Sequence, residues 1–257
     1  MELVALPAFS DNYIWMLHDG ARALVVDPGD AAVVQQALVA RQLELGAILV
    51  THHHADHVGG VDALRPRLRG PLFGPACENI PTPYTAINGG TTVEAMGLAF
   101  EVLNVPGHTA GHIAYLHRPS NDGAPLLFCG DTLFSAGCGR LFEGTPAQMH
   151  ASLSLLAALP GRTRVCCTHE YTLSNLRFAR AVEPENSNIA AYTAWCETER
   201  ARGRPTLPST IEREHQVNPF LRCEEPAVAA SAGAHGAGSN DPVAVFAALR
   251  EWKNQFR

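Results

Sequence analysis

Several familiar features are missing from this chain, and each absence removes a class of function. No stretch approaches the roughly 18 consecutive apolar residues that a membrane span requires. The amino-terminal Met1-Glu2-Leu3-Val4-Ala5-Leu6-Pro7 lacks a basic leader and a long apolar core, so no secretory signal is expected. There is no excess of positive charge: 19 Lys and Arg stand against 25 Asp and Glu, for a net charge of -6, which argues against nucleic acid as the partner. The basic triplets Arg65, Arg67, Arg69 and Arg200, Arg202, Arg204 read as exposed helix faces. A disulfide framework is lacking too. Cys77, Cys129, Cys138, Cys166, Cys167, Cys196 and Cys223 are odd in number and fall mostly in apolar runs, which predicts reduced thiols in a cytoplasmic protein. No Gly-x-Ser-x-Gly elbow occurs, and no internal repeat. With 46% hydrophobic residues in 257, the chain can bury a substantial core in one large or two small domains.

Short apolar runs alternate with turns up to about residue 170. They predict strands over 3–6, 13–17, 23–26, 47–50, 72–74, 98–105, 113–117, 126–129 and 164–168. Helical spacing covers 31–43, with Asp30 as N-cap, and also 58–69 and 146–159. This is the pattern of a layered α/β or αββα body. Beyond Tyr171 the spacing turns helical over 173–182, 188–202 and 243–253, with no strand. The Ala/Gly/Ser-rich 227–240 reads as a mobile loop. The expected division is therefore a mixed domain over 1–171 and a helical one over 172–257.

What the chain does have is Thr-His-His-His-Ala-Asp-His at 51–57, directly after the apolar run Ala47-Ile48-Leu49-Val50. Imidazole and carboxylate are the ligands that zinc, iron and manganese accept. His108, Asp131 and His169 each follow an apolar strand in the same way, and loops at strand ends are where folds place their sites. The set divides into two ions. His52, His54 and His108 serve one, Asp56, His57 and His169 serve the other, and Asp131 bridges them, leaving open positions that mark a catalytic centre. His53 is expected to point away from its neighbours, and His112 to form hydrogen bonds and not to ligate. His18, His117, His150 and His215 are read as ordinary surface or core residues. Asp27 is either an orienting partner of a ligand histidine or a turn residue.

Four motifs together make the chain resemble the metallo-β-lactamase superfamily: His-x-His-x-Asp-His at 52–57, Gly-His-Thr-x-Gly-His at 107–112, Gly-Asp-Thr at 130–132 and Thr-His-Glu-Tyr-Thr at 168–172. Narrower signals bring it closest to the glyoxalase II family of hydroxyacylglutathione hydrolases. They are Asp11-Asn12-Tyr13, Gly-Cys-Gly-Arg-Leu-Phe-Glu-Gly at 137–144, Asn-Pro-Phe-Leu-Arg at 218–222 and the ending Lys-Asn-Gln-Phe-Arg at 253–257. The resemblance implies a metallo-β-lactamase-like four-layer αββα sandwich followed by a small all-α domain. It also implies hydrolysis of S-D-lactoylglutathione to D-lactate and glutathione, the second step of methylglyoxal disposal, by two divalent ions, chiefly zinc with iron or manganese as alternatives, in a monomer.

For the substrate, the resemblance places Arg140, Arg250 and Lys253 on the glycine carboxylate of glutathione, beside Phe142 and Tyr171. The family often has lysine at the position of Arg140, which keeps the charge, and tyrosine at that of Phe142, where phenylalanine loses a hydroxyl donor. The expected chemistry is attack of a metal-activated water on the thioester, with Asp56 holding the nucleophile and taking its proton. The alternatives are a mononuclear-iron glutathione persulfide dioxygenase and a non-catalytic metal- or glutathione-binding module.

Overall fold

Four parallel strands, Arg22–Val26, Glu44–Leu49, Leu72–Pro75 and Thr85–Ile87, lie side by side in a six-stranded sheet. Strands Glu2–Ala8 and Asn12–His18 extend it as an antiparallel hairpin. The computed structural model describes residues 1–256; Arg257, the last residue of the carboxy-terminal signature, lies outside the described residues. The inner strands are near-continuous apolar runs because they are covered on both faces: Ala23 to Val26 and Ala47 to Leu49 are all buried. Leu98–Asn104 instead alternates, with Phe100 and Val102 buried and Ala99 and Glu101 exposed, as one solvated face requires. It pairs with Thr92–Ala95 and Ile113–His117, and the latter with Leu126–Gly130, in an antiparallel ladder.

These strands belong to one compact unit, Met1–Asn104, Ala110–Gly130 and Cys166–His169. A second unit comprises Val105–Thr109, Asp131–Val165 and the described residues from Glu170 onward. Its helices are Pro146–Ala157, Thr172–Val182, Ser187–Ala201, Ile211–Val217, Pro226–Ala234 and Pro242–Gln255. They enclose Ala136, Leu176, Ala179, Ile189, Tyr192, Cys196 and Val217. Thr145 and Gln148 close a capping box at the head of Pro146–Ala157, and Asp30 caps Ala31–Arg41 as the sequence predicts, accepting from Ala32 N at 2.8 Å.

Three expectations are corrected. The helix predicted over 58–69 breaks into single turns, Ala55–Val58 and Val61–Leu64, and a short 3-10 turn, Arg65–Arg67. Gly59-Gly60 lets the backbone pass close to neighbours: β-carbons there would lie 2.6 Å from the Ala55 carbonyl oxygen and 2.6 Å from Ala31 N. Pro66 then removes a helical donor. The supposed mobile loop over 227–240 begins as helix Pro226–Ala234, whose Val228, Ala229 and Ala232 are buried; alanine's helical propensity and a proline in the first turn outweigh the low complexity. Finally, the carboxy-terminal region is not purely helical, because Ser209–Thr210 pairs with Val165 and Arg164. Of the seven cysteines, Cys77 is exposed and the other six are buried. No described helix is long and apolar enough to cross a membrane.

Candidate metal centre and anion-binding cavity

The loop carrying His52, His54, Asp56 and His57 leaves the carboxyl end of a central parallel strand, Glu44–Leu49, which is where open α/β sheets present ligands. Asp27, at the end of the adjacent strand, takes a left-handed conformation with φ 52° and turns its carboxylate onto this loop. Its Oδ1 accepts from Thr51 N at 2.8 Å and its Oδ2 from Thr51 Oγ1 at 2.7 Å, while His57 Nδ1 lies 3.0 Å from Oδ2. These contacts set the imidazole tautomers. The Thr51 hydroxyl donates its one hydrogen bond to Asp27, so towards His52 Nδ1, 3.1 Å away, it can only accept. His52 therefore carries its proton on Nδ1 and presents the Nε2 lone pair, which faces His54 Nδ1 at 3.1 Å.

The same logic recurs at the other imidazoles. His169 Nδ1 lies 2.7 Å from Asp11 Oδ1, which leaves Nε2 to face Asp56 Oδ2 at 3.5 Å. His57 Nε2 lies 3.6 Å from that same oxygen, and Asn12 Nδ2 donates to it at 3.0 Å. Ligand atoms of Asp56, His57 and His169 all fall within 4.8 Å of one another. In the second unit, His108 Nδ1 donates to the Arg140 carbonyl at 2.9 Å, turning Nε2 towards Asp131 Oδ2 at 3.4 Å. Gly139 permits this approach: a β-carbon there would collide with the Asp131 carbonyl and lie 3.1 Å from His108 Nδ1. Imidazoles whose outer nitrogen is proton-bearing and bonded, and whose inner nitrogen offers a lone pair to neighbouring donors, form a set suited to divalent cations. The donors are nitrogen and oxygen only, which fits zinc, iron or manganese.

The second unit holds a cavity of about 460 Å³ whose lining includes His108, Asp131, Arg140, Phe142, Tyr171, Arg250 and Lys253. The five side chains proposed for substrate are thus brought together with two of the proposed ligands. Phe142 is 62% exposed and meets the His108 ring edge-on at 5.2 Å. Arg250 is buried, donating to the Cys138 carbonyl at 3.0 Å and to Asn254 Oδ1 at 3.2 Å. Lys253 donates to the Ser174 carbonyl at 3.2 Å. Burial, reinforced by Arg250, Arg177 and Arg140, pushes the Lys253 ammonium down to about 8. Among the described residues, none of these four cations has a carboxylate within ion-pair distance. Burial pushes the neighbouring Cys138 thiol up, with Arg250 opposing.

Two residues of this arrangement stand out in the sequence only as part of a family signal. Asp11, in the turn between the first two strands, reaches His169, and Asn12, the first residue of the second strand, reaches Asp56. The Asp-Asn pair before an apolar strand was visible; its proximity to a loop 44 residues away was not. His53 meets Glu78, and the His112 ring stacks on His52 at 4.5 Å. His117 and His215 bond main-chain carbonyls, of Ala99 and Ala157.

Comparison with known proteins extends the geometry. A family model described as the metallo-beta-lactamase superfamily matches residues 8–169, and one described as the hydroxyacylglutathione hydrolase C-terminus matches 170–256. A hydroxyacylglutathione hydrolase of Albidiferax ferrireducens is 60% identical over the full length of both chains, and one of Cupriavidus taiwanensis 56%. Among solved structures, TTHA1623 in a di-iron-bound form is 26% identical with a TM-score of 0.59, over 86% of this chain and 100% of that one. The metal-ligand motifs, the fold and these full-length matches together place the chain in the metallo-beta-lactamase superfamily and, within it, among the hydroxyacylglutathione hydrolases.

Proposed function

We propose that this protein hydrolyses S-D-lactoylglutathione, and S-2-hydroxyacylglutathiones more broadly, to the hydroxy acid and glutathione. The observation that carries this reading is the cavity holding His108 and Asp131 together with Arg140, Arg250 and Lys253. It combines metal-ligand chemistry with cations that, among the described residues, form no ion pair with a carboxylate, as an anionic substrate bearing a reactive carbonyl requires. The name shared by the full-length relatives supports the same substrate class. His52, His54 and His108 would hold one divalent ion, Asp56, His57 and His169 a second, and Asp131 both. The di-iron form of a related structure supports a pair of ions, and zinc is our assignment for the native metal. Residues 1–171 would carry the hydrolytic chemistry and 172–257 the hold on glutathione, in a monomeric cytoplasmic enzyme without a nucleic-acid or membrane partner.

Divalent ions bound there supply a water of lowered pKa and polarise the thioester carbonyl. The remaining work belongs to side chains. Asn12 fixes the rotation of the Asp56 carboxylate through Oδ2, so that Asp56 meets the attacking water in a set orientation and takes its proton. Arg250 and Lys253 hold the glycine carboxylate, with Arg140 at the mouth. Phe142 and Tyr171 give the peptide an aromatic wall, Tyr171 standing edge-on to Phe134 at 5.4 Å. The leaving group is a thiolate, whose parent thiol ionises near ~8.5, so no general acid is needed. Release of free thiol from S-D-lactoylglutathione by purified protein tests this reading; a preparation carrying two ions per chain and releasing none would refute it.

A further inference from the structure

Glu78 lies in the loop after strand Leu72–Pro75 and has no part in the reaction as described above. Its side chain is only 1% exposed. Oε2 accepts the backbone N–H of His53 at 3.0 Å and also contacts His53 Nδ1, while Oε1 accepts the backbone N–H of Gly111 at 2.9 Å. A carboxylate removed from water in this way requires such donors, and in return fixes whatever carries them.

Those donors sit at consequential places. His53 is the single link between His52 and His54, so fixing its amide and ring together fixes the main chain from which both imidazoles project. Gly111 precedes His112, whose ring lies 22° from coplanar with His52 at 4.5 Å. One carboxylate thus secures His52 from two directions: along its own chain, and through the ring stacked on its face. Gly111 is fitted to the contact, because a β-carbon there would lie 2.8 Å from Glu78 Cγ and 3.0 Å from Oε1.

We propose that Glu78 is a positioning residue for the His52/His54 half of the metal centre, clamping the 51–57 loop to the Gly111-His112 segment through His53 and Gly111. The inference rests on the metal-centre reading above. It assigns no chemical step to Glu78. Losing the clamp leaves both imidazoles in place but lets them wander, and holding imidazoles in register is what sets the affinity of a site.

The test uses the full chain stripped of metal and titrated with zinc alone against a chromophoric chelator, in the parent and in Glu78→Ala, Glu78→Gln and Gly111→Ala. Glu78→Ala and Gly111→Ala should weaken one of the two binding steps about 10–100-fold and leave the other within about 3-fold. Glu78→Gln keeps the size and one acceptor oxygen and should recover part of the loss. Thermal melting of the metal-free proteins separates positioning from general damage. Parent-strength binding at both steps in Glu78→Ala overturns the proposal, and so does equal weakening of both steps with a matching fall in melting temperature in all three variants. If the parent binds zinc but hydrolyses no thioester, the functional reading fails while the titration still decides the role of Glu78.

Discussion

Asn12 donates its side-chain amide to Asp56 Oδ2 at 3.0 Å, the same carboxylate oxygen that faces His57 Nε2 and His169 Nε2. A neutral donor at that point fixes the carboxylate without competing for a cation's charge. Asn12→Ala should therefore lower kcat about 10–100-fold with little change in KM, since the residue orients a catalytic group and does not face glutathione. Steady-state kinetics at saturating metal checks this split; an unchanged kcat would show that Asp56 is held adequately without it.

The carboxylate contact should be separable from turnover. Arg250→Ala removes a buried guanidinium from the cavity, and charge-assisted hydrogen bonds contribute about 1.5–3 kcal/mol. KM should rise about 10–100-fold with kcat nearly constant. A thioester lacking the glycine carboxylate should be indifferent to the change, which distinguishes lost recognition from local disorder.

Lys253 gives a pH signature. Its ammonium is pushed down to about 8, so the charge is present below that pH and lost above it. KM should accordingly rise as pH passes upward through about 8, and Lys253→Arg, which stays charged, should flatten the rise. Stability moves in the opposite sense. Between about 8 and the ordinary lysine value of 10.5 the unfolded chain binds more protons than the folded one, so this residue makes stability increase with pH there.

Asp131→Ala should lose metal occupancy and turnover together, because the residue is assigned to both ions and its Oδ2 faces His108 Nε2 at 3.4 Å. Elemental analysis beside kcat measures both. Unchanged kcat and KM would remove Asp131 from the centre.

The ligand loops were legible because histidine clusters are uncommon and each follows an apolar run, a juxtaposition that survives without knowledge of the fold. Helix Pro146–Ala157 was legible for a related reason, as its apolar spacing is local. What stayed hidden depends on distant neighbours. Gly59-Gly60 breaks a helical pattern because the chain must pass beside Pro28 and Ala31, some thirty residues earlier. Glu78 carries no motif at all, and its meaning lies in which amides reach it. Helix Pro226–Ala234 departs from the loop expected there because its alanine propensity is local, whereas the burial of Val228 and Ala232 that holds it depends on tertiary packing.

The account stands most directly on metal content measured alongside thiol release. Purified protein should carry two divalent ions per chain, release glutathione from S-D-lactoylglutathione, lose that activity when stripped by chelator and regain it when zinc is restored. Full activity in a preparation free of every divalent cation would contradict it.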